Sequence, residues 1–187
     1  MDPASARTIL EEHVTNVNLR RHCIAVASVM RSLAGKLGGE SDLWESLGYI
    51  HDADWEETKD NPALHTVKTL EWLQKAGITN PLLLHALQSH NRKLTHLAEL
   101  EGPMEWALET CDELTGFIVA VTLVRPDKKL ASVTVDSILK KWKAKEFAKA
   151  VDRSQIVQCE EKLGIPLQEF IQITLNAMQE HSQEFGL

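Results

Sequence analysis

Apolar residues recur at every third or fourth position along almost the whole chain, and this helical period is the feature that most limits its fold. The clearest stripe runs up to Gly38-Gly39 and consists of Leu19, Cys23, Val26, Met30, Leu33 and Leu37. No stretch alternates apolar and polar residues as a half-buried strand does, and no Asn-Gly pair marks a hairpin. The sequence therefore predicts an all-α protein.

Prolines and capping residues indicate where the helices begin and end. Asn61-Pro62, Asn80-Pro81 and Gly102-Pro103 each predict a helix start, because proline suits the first helical position. Arg125-Pro126 predicts the end of the helix that starts at Gly102-Pro103. Beyond that proline the pattern predicts three shorter helices, over about 134–144, 146–162 and 166–182.

Length, charge and cysteine content set the broad class of protein. At 187 residues the chain predicts one domain. A formal net charge of −7 opposes bulk binding to nucleic acid or to an anionic membrane, so an anionic ligand would need a local site. Three widely separated cysteines are typical of reduced thiols in the cytoplasm. The N-terminus lacks the apolar region of a signal peptide, and no apolar run approaches the roughly 20 residues of a membrane span.

Histidines and acids form an ordered set along the predicted helices: His22, His51-Asp52, His65, His90 and Asp112. Successive members are separated by about one helix and its connection, so the helices can bring them to one centre. Imidazole and carboxylate groups together suit a divalent transition metal such as iron, manganese, cobalt, nickel or zinc. Adjacent residues of a helix point about 100° apart, so His51 and Asp52 can share a centre only near a helix end or in a distorted turn.

Each residue alone also has an ordinary structural explanation. His65 fits a surface position in a first helical turn, and His90 fits a helix C-terminus, where the macrodipole favours a positive charge. Asp112 lies among apolar residues and is costly to bury without a partner, a cost that a bound cation would remove. The joint pattern therefore favours a metal site over six separate explanations.

The order H…HD…H…H…D resembles the HD-domain superfamily of metal-dependent phosphohydrolases. The resemblance covers about residues 18–125 and is carried by Leu19-Arg20-Arg21-His22, Gly48-Tyr49-Ile50-His51-Asp52 and Cys111-Asp112-Glu113-Leu114-Thr115-Gly116. It implies a helical bundle around a metal centre, here an HD core over about 18–125 with a C-terminal helical extension over about 126–187. In the minimal family pattern one ion is bound by His22, His51, Asp52 and Asp112.

Subfamilies with two further histidines, such as the bacterial diadenosine polyphosphate hydrolases and the HD-GYP phosphodiesterases, hold two ions. By that resemblance Asp52 would bridge the ions, and His65 and His90 would complete the second site. The chain departs from the HDIG-K branch, because Ala53-Asp54-Trp55-Glu56-Glu57 follows the HD pair, and it has no GYP sequence after His90. What remains is similar to a small bacterial group of HD hydrolases whose substrates the resemblance does not supply.

The expected reaction is metal-assisted hydrolysis of a nucleotide or other small phosphate ester by an activated water. Asp52 would act at the metals, and Asp54 and Glu56 are candidates to orient that water or to accept a proton, with two solvated acids as the equally weighted alternative. The predicted phosphate-binding cations are Arg21, Arg92, Arg125, Lys128 and Lys129. Of these, the loop that holds Arg125, Lys128 and Lys129 is preferred, because charges concentrate there.

Two other functions remain open at this stage. Some HD-fold proteins with the same six ligands are di-iron oxygenases, and a third alternative is a non-catalytic ligand-sensing module. The C-terminal third has no catalytic pattern of its own. Its apolar residues are expected to pack the extension on the core or to form a homodimer surface, among them Trp142, Phe147, Phe170, Ile171 and Leu175.

Overall fold

The computed structural model describes all residues from Met1 to Leu187 and contains helices and no strands. The longer helices are α1 (Pro3–His13), α2 (Val17–Leu37), α3 (Ser41–Ile50), α5 (Val67–Lys75), α6 (Pro81–His90), α8 (Pro103–Leu123), α9 (Val135–Trp142) and α12 (Leu167–Glu180). The short ones are α4 (Trp55–Thr58), α7 (Arg92–Thr95), α10 (Arg153–Ile156), α11 (Gln158–Leu163) and α13 (Ser182–Phe185). The predicted all-α class is therefore confirmed.

Helices α2 and α8 form the centre of the molecule, and both owe their length to clear ends in the sequence. The Asn16 side chain caps α2 by accepting from the backbone N–H groups of Asn18 and Leu19, and Gly38 ends the helix in the left-handed conformation. Pro103 occupies the first turn of α8. Helices α3 and α12 pack against α2, and α6, α10, α11 and α12 pack against α8.

One continuous cluster of buried apolar side chains joins these helices. It includes Met30 of α2, Leu47 of α3, Phe117 of α8 and, from the C-terminal third, Ile156 and Phe170. Residues on both sides of Pro126 therefore share a core. No helix combines the length and the apolar character needed to cross a membrane.

Two predicted helices differ from those observed. Asn61-Pro62 begins only a 3-10 turn (Pro62–Leu64), and α5 starts later, at Val67. The predicted helix over 146–162 is replaced by turns that lead into α10 and α11. Here the guanidinium of Arg153 lies over the Phe117 ring and donates to the carbonyl groups of Ala144 and Phe147, which satisfies backbone acceptors that a helix would otherwise pair.

Candidate metal centre

Four helices and two turns bring the predicted ligands together. His22 lies in the second turn of α2, His51 follows the last residue of α3, and Asp52 occupies the turn after it. His65 precedes α5, His90 is the last residue of α6, and Asp112 lies near the middle of α8. The end of α3 lets adjacent His51 and Asp52 reach one centre, as the sequence predicts.

The first group of donor atoms surrounds the Nε2 atom of His22. This nitrogen lies 2.9 Å from Asp112 Oδ1, 3.2 Å from His51 Nε2 and 3.7 Å from Asp52 Oδ2. His51 Nε2 is 3.7 Å from Asp112 Oδ1 and 3.6 Å from Asp52 Oδ2. Two nitrogens and two carboxylate oxygens therefore face a common point.

The second group lies on the other side of the Asp52 carboxylate. Its Oδ1 atom is 3.2 Å from His65 Nε2 and 3.4 Å from His90 Nε2. The His65 and His90 rings meet edge to face with their centroids 5.3 Å apart. Asp52 thus directs one oxygen to each pair of histidines, which is the arrangement of a carboxylate that can bridge two ions.

Hydrogen bonds fix which nitrogen of two rings is free to bind. His51 Nδ1 lies 2.8 Å from the Gly48 carbonyl oxygen, which can only accept, so Nδ1 carries the proton and Nε2 keeps a lone pair. His65 Nδ1 lies 2.7 Å from Asp54 Oδ1 and donates to it in the same way. The His65 Nε2 lone pair then faces Asp52 Oδ1. Two acceptors at 3.2 Å need a proton or a cation between them, so the donor set fits a divalent metal.

Electrostatics favour positive charge in the cluster. Burial opposes a charged His22, but the hydrogen bond to Asp112 and the charges of Asp112 and Asp52 outweigh it and raise the pKa of His22 to about 9. Despite burial, Asp52 and Asp54 raise the pKa of His65 to about 9. Burial also opposes ionised Asp52 and Asp112, yet the surrounding imidazoles hold the pKa of both carboxyls below the ordinary range. Bound protons or metal cations would supply this positive charge.

The structure assigns Asp54 a different role from the predicted one. Its side chain is fully buried and accepts from His65 Nδ1 and from the backbone N–H groups of Thr66 (3.2 Å) and Thr69 (3.0 Å). Although burial opposes its charge, these hydrogen bonds hold the pKa of Asp54 below its ordinary value. A fully buried carboxylate bound to these groups does not support the predicted role in orienting a water. It positions the His65 ring.

The contacts of Glu56 also lie outside the cluster. Its carboxylate accepts from the backbone N–H groups of Thr15 (2.8 Å) and Asn16 (2.9 Å) and from the Thr15 hydroxyl. Glu56 therefore ties α4 to the connection between α1 and α2. Both carboxylate oxygens are engaged at this connection.

Four of the five predicted phosphate-binding cations do not fit that role. Arg92 forms a two-pronged ion pair with Glu109, at 2.9 Å for both contacts, so its charge is already neutralised. Arg125 donates to the Ser132 hydroxyl. Its loop, which also holds Lys128 and Lys129, follows the end of α8, roughly 17 Å along the helix from Asp112 at about 1.5 Å per residue. This rise along α8 exceeds the length of an arginine or lysine side chain.

Arg21 is the exception among the predicted cations. It is exposed, forms no ion pair or hydrogen bond, and lines a cavity together with His22. His85, which the sequence left outside the metal site, pairs with Glu105 at 3.0 Å and lies outside the cluster. Buried Cys23 and Cys111 adjoin the cluster, but burial raises the pKa of both thiols well above the usual value, so they stay neutral.

Sequence reasoning missed Thr66, which helps to place His65. Thr66 has a φ of 70°, an unfavourable left-handed conformation for a β-branched residue, and its N–H donates to Asp54. This turn interrupts the helix predicted from Asn61-Pro62 and directs His65 toward Asp52. A threonine carries no sequence signal for such a conformation.

Comparisons with known proteins add no assignment. The chain matches no protein-family model, no curated protein and no solved structure. The chemistry of the site therefore has to be argued from its donor atoms. Two sets of three residues that cut across the two groups described above each bring their donor atoms within 4.8 Å of one another and could hold a metal ion: His22, His51 and Asp112, and His51, Asp52 and His90. His65 belongs to neither set.

Replacing Asp54 by alanine should weaken the second group selectively. His65 would lose the acceptor that fixes its ring, and loss of such a partner typically lowers metal affinity by about 10–100-fold. We expect elemental analysis to find about one ion fewer per chain than in the parent protein at limiting metal. An Asp60→Ala variant is the control, because Asp60 is an exposed acid of the same connection with no ion pair. Equal metal content in all three folded proteins would refute the positioning role.

Proposed function

We propose that the chain is a metal-dependent phosphohydrolase of the HD type that acts on a nucleotide or another small phosphate ester. The observation that carries the proposal is the Asp52 carboxylate, whose two oxygens face separate pairs of histidines. One ion would be held by His22, His51, Asp52 and Asp112. A second would be held by Asp52, His65 and His90.

Divalent ions bound here would polarise a phosphoryl oxygen and lower the pKa of a coordinated water from 15.7 toward about 7. The chain supplies the rest of the arrangement. Asp54 holds the His65 ring in place through Nδ1, and the Gly48 carbonyl does the same for His51. No serine or cysteine nucleophile is needed, which agrees with the neutral state of Cys23 and Cys111.

The local charge supports an anionic substrate despite the net charge of −7. Two divalent ions against the carboxylates of Asp52, Asp54 and Asp112 would leave the centre with one positive charge. The unpaired guanidinium of Arg21, the residue next to His22, adds another. The local positive charge of the centre would therefore attract a negatively charged phosphate ester, although the net negative charge of the protein repels it.

The test is the metal content and phosphatase activity of one preparation. Tag-free protein purified without chelator should contain about two transition-metal ions per chain. After the metal is stripped, reloading with iron, manganese, cobalt, nickel or zinc should restore phosphate release from a panel of phosphate esters. Failure to bind any metal would refute the proposal. So would an iron-loaded protein that consumes oxygen and releases no phosphate, which would indicate the oxygenase instead, or a loaded protein that binds phosphate esters without turnover.

A further inference from the structure

A cavity of about 350 Å³ lies between α2 and α8, next to the candidate metal centre. His22 and Ala25 of α2 line one side, and Gly116, Val119 and Leu123 of α8 line the other. His22 is therefore shared between the cavity and the cluster. We call this cavity the α2–α8 groove.

The groove meets the metal cluster at His22, a cluster residue that also lines the groove. The side chains of His22 and Asp112 are 26% and 22% exposed, whereas His51 has no exposed surface. Gly116 is one helical turn beyond Asp112 and carries no side chain, so nothing from α8 fills the space at that level. A phosphate ester whose phosphate lies at the cluster can therefore extend its organic group into the groove.

The C-terminal residues close the groove with apolar groups. Helix α13 packs against α2, and Phe185 and Leu187 line the cavity. Gly186 lies against Arg21, since a Cβ atom on this glycine would be 2.5 Å from the guanidinium. The only side chains in the lining that carry polar groups, apart from His22, are those of Arg21 and Asn18. The walls thus favour an apolar ligand whose anionic end lies near Arg21.

The size of the groove limits what it can hold. Ligand cavities usually measure about 300–1,000 Å³, so this one is at the small end. The groove has room for one aromatic ring system. It is too small to hold both nucleosides of a dinucleoside polyphosphate. The chemistry and the volume together indicate a compact monoester.

We propose that the α2–α8 groove binds the organic group of the substrate and selects phosphate monoesters of a single apolar or aromatic ring system. This inference rests on the proposed phosphohydrolase function and adds the substrate class to it. Arg21 would pair with a phosphate oxygen at the mouth of the groove. Phe185 and Leu187 would give the C-terminal extension a part in specificity.

The experiment compares 1-naphthyl phosphate with methyl phosphate in two matched variants. A Cβ atom at Gly116 and a Cβ atom at Gly35 both meet open space in an α-helix, but only Gly116 lines the groove. The parent protein should prefer the naphthyl ester in kcat/KM. In Gly116→Leu the ratio of the two kcat/KM values should fall by about tenfold, the scale of a pocket filled by a few methylene groups. Gly35→Leu should keep the parent ratio.

A second measurement separates failure of the groove from failure of the phosphohydrolase proposal. Calorimetry of the metal-loaded proteins with 1-naphthylmethylphosphonate, which cannot be hydrolysed at its C–P bond, reports binding without turnover. If no ester is hydrolysed but the phosphonate binds the parent and Gly35→Leu more tightly than Gly116→Leu, the function fails and the groove stands as an aryl phosphate site. If esters are hydrolysed and Gly116→Leu keeps both the parent ratio and the parent phosphonate affinity, the groove assignment is overturned and the function stands.

Discussion

Replacing Asp52 by alanine should remove both ions and abolish phosphate release. Asp52 is the residue whose carboxylate reaches both groups of donors, with Oδ2 near His22 and His51 and Oδ1 near His65 and His90. Its loss leaves three donors in the first group and two in the second. We expect fewer than one tightly held ion per chain and a fall in kcat/KM of at least about 10³-fold, because a catalytic metal contributes several kcal/mol to transition-state stabilisation.

Elemental analysis and phosphate release, measured on the same samples, test this prediction. The Asp60→Ala variant again serves as the control, because it removes a carboxylate from the same connection without touching the cluster. Circular dichroism establishes that both variants are folded. An Asp52→Ala protein that kept about two ions would show that Asp52 does not bridge them.

Among the glycine-to-alanine substitutions of this chain, Gly48→Ala should lower the free energy of unfolding the most. A Cβ atom at Gly48 would lie 2.4 Å from Ala27 Cα and 2.6 Å from Ala27 N, which are backbone atoms of α2 and cannot turn aside. Helices α2 and α3 would have to separate, and overpacking of this kind costs about 3 kcal/mol or more when the backbone must move. The shift would also displace the carbonyl group that holds His51.

Denaturant unfolding of the metal-free protein measures this effect without interference from bound ions. Gly35→Ala is the matched control: its Cβ meets open space in α2, and alanine in a helix is favoured over glycine by about 0.5–1 kcal/mol. We therefore expect the two substitutions to change the free energy of unfolding in opposite directions. A Gly48→Ala protein within about 1 kcal/mol of the parent would contradict the close contact described here.

Local sequence signals predicted the parts of the fold that depend on local chemistry. Asn80-Pro81 does begin a helix, and that helix ends at His90. The helix that starts at Gly102-Pro103 ends at Leu123, just before Arg125-Pro126. Because these boundaries are correct, the spacing of the histidines and acids was enough to predict that the six residues lie together. Whether they bind metal stays a prediction.

Sequence reasoning did not foresee contacts between residues that lie far apart in the sequence. The sequence around Arg92 does not indicate that Glu109, 17 residues later, forms an ion pair with it. The residues after His51-Asp52 likewise do not indicate that Asp54 accepts a hydrogen bond from His65. The left-handed conformation of Thr66 occurs together with the hydrogen bond from its N–H to Asp54. Local patterns predict which residues share a helix, but pairing between distant segments decides which charges remain free.

The distribution of the six cluster residues has a consequence for how the molecule holds together. They come from segments up to 90 residues apart, from α2 to α8, in a chain whose three cysteines are all unpaired. Bound ions would therefore act as the cross-links that disulfides provide elsewhere, adding about 2.7 kcal/mol for each site at a free metal concentration 100 times its Kd. The resistance of this protein to unfolding would then vary with the metal supply of its surroundings.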